Sequence, residues 1–215
     1  REDYRPVNSR LAESADALAV ARGFRENLGL VELYVADLDA ILHDRPNVEL
    51  YRRLADNGFS LMVDAGLRTA ERARQAFDAG ANSVIAGLET CAGPALLAKL
   101  CAEFGRGRIV FSLDLQAGEP MGDLALWTSR EPFGIAAAAA DSGISRLIVL
   151  DLRQVGVGRG LSTIDLCRQA IDAYPEMEVF TGGGVRHSND LNDLARIGVL
   201  GVFVASAIHD GRISR

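Results

Sequence analysis

An α/β fold, a (β/α)8 TIM barrel built from two half-barrels, is predicted by three observations in this chain. Seven short apolar runs alternate with helical patterns along all 215 residues. The first part of the chain resembles the last. The apolar run Val179 to Thr181 also ends in Gly182, Gly183 and Gly184, followed by Val185 and Arg186. A strand tip of that kind brings bare backbone N–H groups up to a ligand, as a phosphate cradle requires.

The duplication is visible without gaps. Sliding residues 61–88 by 118 positions sets Gly66 on Gly184, Arg68 on Arg186, Gly80 on Gly198 and Val84 on Val202. These identities mark a strand end, the turn after it, a helix C-cap and the next strand. A second match at an offset of 114 aligns GLVELYVADL (29–38) with GISRLIVLDL (143–152), sharing Gly, Leu, Val, Asp and Leu. The change in offset fits a longer loop at residues 155–160.

Strands are expected near 31–36, 60–64, 83–87, 109–114, 146–151, 179–182 and 200–205, where the runs are short, apolar and β-rich. Helix starts are marked by Ser14, Pro46, Thr69, Pro94, Ser129 with Pro132, Ser162 and Ser188, each a cap or an N1 proline ahead of a helical pattern. Gly58, Gly80, Gly105, Gly143 and Gly198 sit where C-caps belong. Near-continuous apolar strands in strict βα alternation mean a parallel sheet covered on both faces, either doubly wound or closed. The duplication favours the barrel, because two half-barrels predict two equivalent ligand-binding tips on one rim. A Rossmann sheet would need a GxGxxG opening a helix, and the chain has none. The strand Ile109 to Asp114 has its counterpart, at an offset of 114, just ahead of Arg1. The expectation is therefore an eight-stranded barrel whose first strand is absent from these 215 residues, with a seven-stranded or open sheet as the alternative.

Length and a hydrophobic content of 48% suit one domain spanning residues 1–215. A net charge of −6, with acidic and basic residues interleaved, argues against a nucleic-acid partner. No apolar stretch reaches membrane-spanning length and the first ten residues do not read as a signal peptide, so a cytoplasmic protein without a membrane partner is expected. Mixed surface charge leans toward a monomer. Cys91, Cys101 and Cys167 lack CxxC spacing, and His43, His187 and His209 make no HxxxH pair. Reduced core thiols and no metal site are the expectation. His187 alone, directly after the glycine loop, is placed to see a ligand.

Catalytic groups of such barrels sit at the C-terminal strand ends. Here those ends carry Asp37, Asp39, Asp64, Gly87, Glu89, Asp114, Asp151, the glycines 182–184, and Ala205 with Ser206. Asp114 is the catalytic candidate, a carboxylate opening into a pocket as acid–base chemistry needs. Asp37 and Asp151, equivalent in the two halves, either take part in function or simply hydrogen-bond loop backbones. Gly182, Gly183, Gly184, Ala205 and Ser206 are the phosphate-binding candidates. Asp37, Asp64, Arg68, Gly87, Asp151 and Arg159 are the further candidates for substrate binding.

The segments LYVADLDA, VFSLDLQAG, Trp127, TGGGVR and VFVASAIHDGRI resemble the histidine-biosynthesis (β/α)8 family, and its ProFAR isomerase branch more than its cyclase branch. The resemblance runs over nearly the whole chain. It implies a duplicated half-barrel, a substrate with a phosphate at each end, and an Amadori rearrangement of an aminoaldose to an aminoketose without metal or organic cofactor. It also implies one acid–base Asp on the first barrel strand and one on the fifth, the latter being Asp114. Ser188 would cap the helix beside the phosphate loop.

Departures from the pattern bear on the substrate. Where the family has a glycine-rich grip, the chain reads Val63-Asp64-Ala65-Gly66-Leu67-Arg68, and then Gly87-Leu88-Glu89. Asp64 and Glu89 repel an anion, so Arg68 is expected to compensate. Leu150 and Val155-Gly156-Val157 replace polar residues of the family's sixth strand, and Arg159 adds a cation. Three readings follow: a ProFAR-type isomerase; a divergent relative acting on another, singly phosphorylated metabolite, such as one in a tetrahydromethanopterin-linked one-carbon pathway; or a non-catalytic phosphate-ligand-binding barrel.

Overall fold

The structure, a computed structural model, describes residues 9–153 and 162–213. Its strands are β1 (Glu32–Ala36), β2 (Ser60–Asp64), β3 (Ser83–Gly87), β4 (Ile109–Gln116), β5 (Glu119–Pro120), β6 (Arg146–Asp151), β7 (Glu178–Gly182) and β8 (Gly201–Phe203). All but the short β5 pair in parallel, in the order β1-β2-β3-β4-β6-β7-β8. The seven expected strands thus form a nearly closed barrel. β1 and β8 end the path, and between them opens a cavity of about 1010 Å³ whose walls include Phe24, Leu33, Tyr34, Val202 and Phe203. The rings of Tyr34 and Phe203 meet there with centroids 4.7 Å apart. This is the place at which one more parallel strand would complete the ring. The expected strand ahead of Arg1 lies outside the described residues.

The helices are α1 (Ala17–Leu28), α2 (Leu38–His43), α3 (Val48–Asp56), α4 (Ala70–Asp78), α5 (Pro94–Phe104), α6 (Pro132–Asp141), α7 (Ile164–Ala173), α8 (Ser188–Arg196) and α9 (Ser206–His209). Thr69 caps α4 through its side chain, and Pro94 and Pro132 open α5 and α6, as expected. Elsewhere a neighbour takes the role. Asp16 rather than Ser14 caps α1, accepting from the N–H groups of Leu18 and Ala19, and Asn47 rather than Pro46 caps α3. Carboxylate and amide oxygens serve an N-cap as well as a hydroxyl does. Ser188 is the first residue of α8, not its cap. The five C-cap glycines all have positive φ.

Strand alternation sorts side chains into two cores. Leu61, Val63, Val84, Ala86, Phe111, Leu113, Leu147, Val149 and Val179 point outward and pack under Leu54, Ala73, Leu97, Leu100, Ile135, Ala139, Cys167 and Leu194 of the helices. The other set fills the barrel in layers. At the N-terminal end, Arg146 reaches Glu178 at 2.9 Å and the Ser83 hydroxyl at 3.3 Å. Above it Met62, Ile85, Val110, Ile148 and Phe180 form an apolar plug with Tyr34 and Phe203. The next residues on the same faces are Asp64, Gly87, Ser112, Leu150 and Gly182, with Asp114 one step beyond Ser112 at the C-terminal rim. The three cysteines are free and buried, and burial pushes the thiols of Cys91 and Cys167 up to about 11.

Three elements, α2, β5 and α9, escaped the sequence reading. Asp37 caps the six-residue α2 directly after β1. β4 runs on to Gln116 and folds back through Ala117 (φ 56) and Gly118 (φ 86) into β5. Two consecutive positive-φ residues suit the twist of a two-residue hairpin.

Candidate active site

Asp114 enters the rim from the inner face of β4 and is 4% exposed. Two residues earlier on that face, the Ser112 hydroxyl donates to Asp114 Oδ1 at 2.8 Å. The i, i+2 spacing of Ser-Leu-Asp is the signal that would have found this orienting group. The other oxygen, Oδ2, faces β3 at Gly87: a methyl group built there would stand 3.1 Å from it. Any side chain at this position would crowd the carboxylate, so Gly87 serves the site by having none.

Asp64, on β2, is 6% exposed and approaches the same point, its Oδ2 3.9 Å from that position. Its Oδ1 accepts the N–H of Gly66 at 3.1 Å. The N–H that an anion would need at this tip is therefore already engaged by a carboxylate. Ala65 and Leu67 are fully buried beside it, and a methyl on Gly66 would meet Ala40 O and Ile41 Cα at 2.8 Å. Arg68 does not supply the expected compensation. Its guanidinium donates to the carbonyls of Gly66 (3.0 Å) and Ile41 (2.8 Å), which ties it to the end of α2. A cation bonds readily to carbonyls at a helix C-terminus, where the backbone dipole is negative.

Asp37 and Asp151 both hold loops. Asp37 accepts from the N–H groups of Ala40 (3.1 Å) and Asn47 (2.7 Å) and from the Tyr51 hydroxyl. Burial, reinforced by that carboxylate, pushes the Tyr51 phenol above its ordinary range. Asp151 accepts from Ala117 and Gly118 at 3.1 Å each and from Arg153 at 3.0 Å, so it clamps the β4–β5 hairpin. The repeat has placed the same carboxylate in the same kind of duty in both halves.

Across the rim, Gly183 (φ 77) and Gly184 (φ 78) are consecutive left-handed residues after β7. They line the large cavity together with Val185, Ala205, Ser206 and Ala207. Gly182 lies inside the ladder, paired with Leu150 and Phe203, and a methyl on it would meet Phe203 Cβ at 2.8 Å. Its role is close packing at the strand end. His187 is half exposed, with Nδ1 3.8 Å from Asp190 Oδ1. Arg159 and residues 155–157 lie outside the described residues.

Asp190 was missed in the sequence, although Arg186 stands four positions before it on a helix start. Its carboxylate takes the Arg186 backbone N–H at 2.8 Å and the guanidinium Nη2 and Nε at 2.8 and 3.1 Å. Those hydrogen bonds bring the Asp190 carboxyl down to about 2 and fasten the glycine loop to α8. A depressed carboxyl stabilises fully above its unfolded value near 3.8 and loses that contribution as pH falls through 2. With the Arg186 side chain 46% exposed, the discounted effect is on the order of 1–2 kcal/mol. Denaturant melts at pH 6, 4 and 2.5 should show Asp190→Asn less stable than wild type at pH 6 and the gap reduced to about a third by pH 2.5. A constant gap would contradict the assignment.

Among the described residues no group of His, Cys, Asp and Glu is arranged to hold a metal ion, and no helix is long and apolar enough to cross a membrane. What the rim presents is two buried carboxylates beside Gly87 and, after β7, a glycine loop that lines the large cavity. The family model described as "Histidine biosynthesis protein" matches residues 4–214. The chain belongs to the histidine biosynthesis protein family. Among its curated relatives are isomerases of 1-(5-phosphoribosyl)-5-((5-phosphoribosylamino)methylideneamino)imidazole-4-carboxamide, the compound abbreviated ProFAR. The enzyme of Deinococcus radiodurans is 33% identical over 193 residues, 86% of this chain and 78% of its own. That of Methanothermobacter thermautotrophicus is 30% identical over 204 residues, 92% of this chain and 83% of its own. That of Thermus thermophilus is 29% identical over 202 residues, 92% of this chain and 84% of its own. Within the histidine biosynthesis family, then, this member carries a carboxylate, Asp64, at a rim position where the family resemblance implies a glycine grip.

Proposed function

We propose that this protein is an aldose–ketose isomerase of the ProFAR isomerase kind, performing an Amadori rearrangement on a phosphoribosyl substrate in histidine biosynthesis. The observation that carries the reading is Asp114, a buried carboxylate oriented by Ser112 at the end of β4, in a barrel whose β7 tip carries a side-chain-free glycine pair. A phosphate seated at Gly183, Gly184 and Ser206 would fix one end of the substrate and bring its sugar over Asp114. A carboxyl group there protonates the ribose ring oxygen to open it, and a carboxylate removes the proton from C2. The relatives' names and the extent of the match support the same chemistry. Small-molecule work of this kind suits a monomer in the cytoplasm.

A second reading is favoured by one specific observation. The Gly66 N–H is bonded to the Asp64 carboxylate, so the β2 tip repels the second phosphate that a bis-phosphorylated substrate would bring. On this reading the substrate is a different metabolite with a single phosphate. The test is a turnover assay with ProFAR, beside calorimetric titration with inorganic phosphate. Conversion of ProFAR establishes the first reading. No conversion together with one bound phosphate per chain overturns the first reading and keeps a singly phosphorylated ligand, and neither conversion nor binding overturns both.

A further inference from the structure

The ProFAR-type reading makes Asp114 an acid–base group that must be held still, and we infer that Asp151 is the positioning residue that fixes it, acting through the β4–β5 hairpin. The inference rests on that reading for the chemistry of Asp114 and on main-chain hydrogen bonds for the rest. β3 and β4 pair only as far as Gly87 and Ser112, with one more bond from the Leu88 N–H to the Ser112 carbonyl at 2.9 Å. Asp114 therefore stands on an extension of β4 that has outrun this neighbour. On the other side β6 keeps pace, pairing Leu150 with Asp114 and Asp151 with Leu115. Carbonyls of alternate residues along a strand point the same way, so the Asp114 carbonyl, like that of Ser112, is turned toward the side that β3 has left. There the hairpin supplies the missing donor. β5 folds back beside Leu115 and Gln116, and the Met121 N–H donates to the Asp114 carbonyl at 2.8 Å. Gly122 then crosses the end of β3, where an added methyl would stand 2.5 Å from the Leu88 carbonyl oxygen. The return strand takes the place of β3, and the backbone of Asp114 is gripped from both sides.

The turn of this hairpin needs support of its own. It holds Ala117 at φ 56, a left-handed conformation that is costly for a residue with a Cβ, so it depends on partners for its N–H groups. Asp151 provides them. Buried at 2% exposure, it accepts the Ala117 N–H on Oδ1 and the Gly118 N–H on Oδ2 at 3.1 Å each, and Oδ1 also takes the Arg153 N–H at 3.0 Å. Both oxygens are needed, since each receives a different amide of the turn. An Asn here would set an NH2 group against one of those N–H donors and lose its bond. The contacts run from the Asp151 carboxylate to the turn, along the return strand, and from Met121 to the peptide of Asp114.

The test is Asp151→Asn, with Met121→Pro as a second variant that removes the last bond and leaves the clamp in place. We expect kcat with ProFAR to fall about 10- to 100-fold in each, the scale on which displacing a reacting group by about 1 Å slows a reaction. KM and phosphate affinity should stay within about threefold of wild type. The two losses should not multiply in the double variant, since both break one chain of contacts. A clamp that merely supported the fold would lower the melting temperature and leave kcat within about threefold of wild type, and that result would overturn the assignment, as would losses that multiply. Where Asp151→Asn does not fold, Met121→Pro decides alone, and near-wild-type kcat there overturns the inference. Amide hydrogen exchange supplies a readout independent of turnover. The Met121 N–H should exchange at least about tenfold faster in Asp151→Asn than in wild type, with the Val110 and Ile148 amides of the inner core unchanged. A Met121 amide as protected as in wild type refutes the positioning chain, even if the wild type turns out not to convert ProFAR and the substrate reading falls.

Discussion

Replacing Asp114 by Asn lowers turnover about 10²- to 10⁴-fold, the range by which a positioned acid–base group accelerates proton transfer. The change is nearly isosteric, and the amide oxygen still accepts the Ser112 hydroxyl that now meets Oδ1 at 2.8 Å. The rim therefore keeps its shape. Leu113 and Leu115, which hold β4 under the helices, are untouched and buried. The loss should fall on kcat, with KM and phosphate affinity close to wild type, because the phosphate candidates stand on other strand ends, after β7 and β8. Steady-state kinetics with ProFAR and phosphate titration of the variant check both halves of the prediction. A rise in KM with kcat intact would make Asp114 a binding group instead.

Gly183→Val should do the reverse. The backbone at Gly183 has φ 77, a region costing a β-branched residue on the order of 1–2 kcal/mol, and the next residue is left-handed too. Relief of that strain turns the loop away from the cavity, and the isopropyl group covers the N–H groups that remain. Phosphate affinity is expected to fall about 10- to 100-fold, since each loss of about 1.4 kcal/mol weakens binding tenfold. The chemical step at saturating substrate should change far less. Fluorescence or calorimetric titration with inorganic phosphate measures the first effect and kcat the second. Wild-type phosphate affinity in this variant would remove the β7 loop from the site.

How legible these features were in the sequence differs by element. The seven parallel strands appear within two residues of where the apolar runs placed them, since a strand buried on both faces has to be apolar throughout. Helix starts were legible as neighbourhoods and not as residues, because Asp16, Asn47 and their serine or proline neighbours offer interchangeable caps. The β4–β5 hairpin was hidden by Ala117, a residue whose type does not announce positive φ. Arg68 shows a sharper limit. Its charge and position suggested an anion partner, yet two backbone carbonyls took the guanidinium. The competition between those partners depends on where α2 ends, and no pattern in the sequence marked α2.

From the chain alone came the barrel class, the duplication, the rim position of Asp114 and the glycine loop, all of which follow from local periodicity and residue type. Only the folded molecule decided which carboxylates serve the backbone and which stand beside Gly87. Asp37 and Asp151 are satisfied by loop N–H groups, whereas Asp64, itself bonded to the Gly66 N–H, and Asp114 each place an oxygen beside Gly87. That division rests on contacts between strands 23 to 50 residues apart, and sequence periodicity sets the side to which a residue points without setting what it finds there.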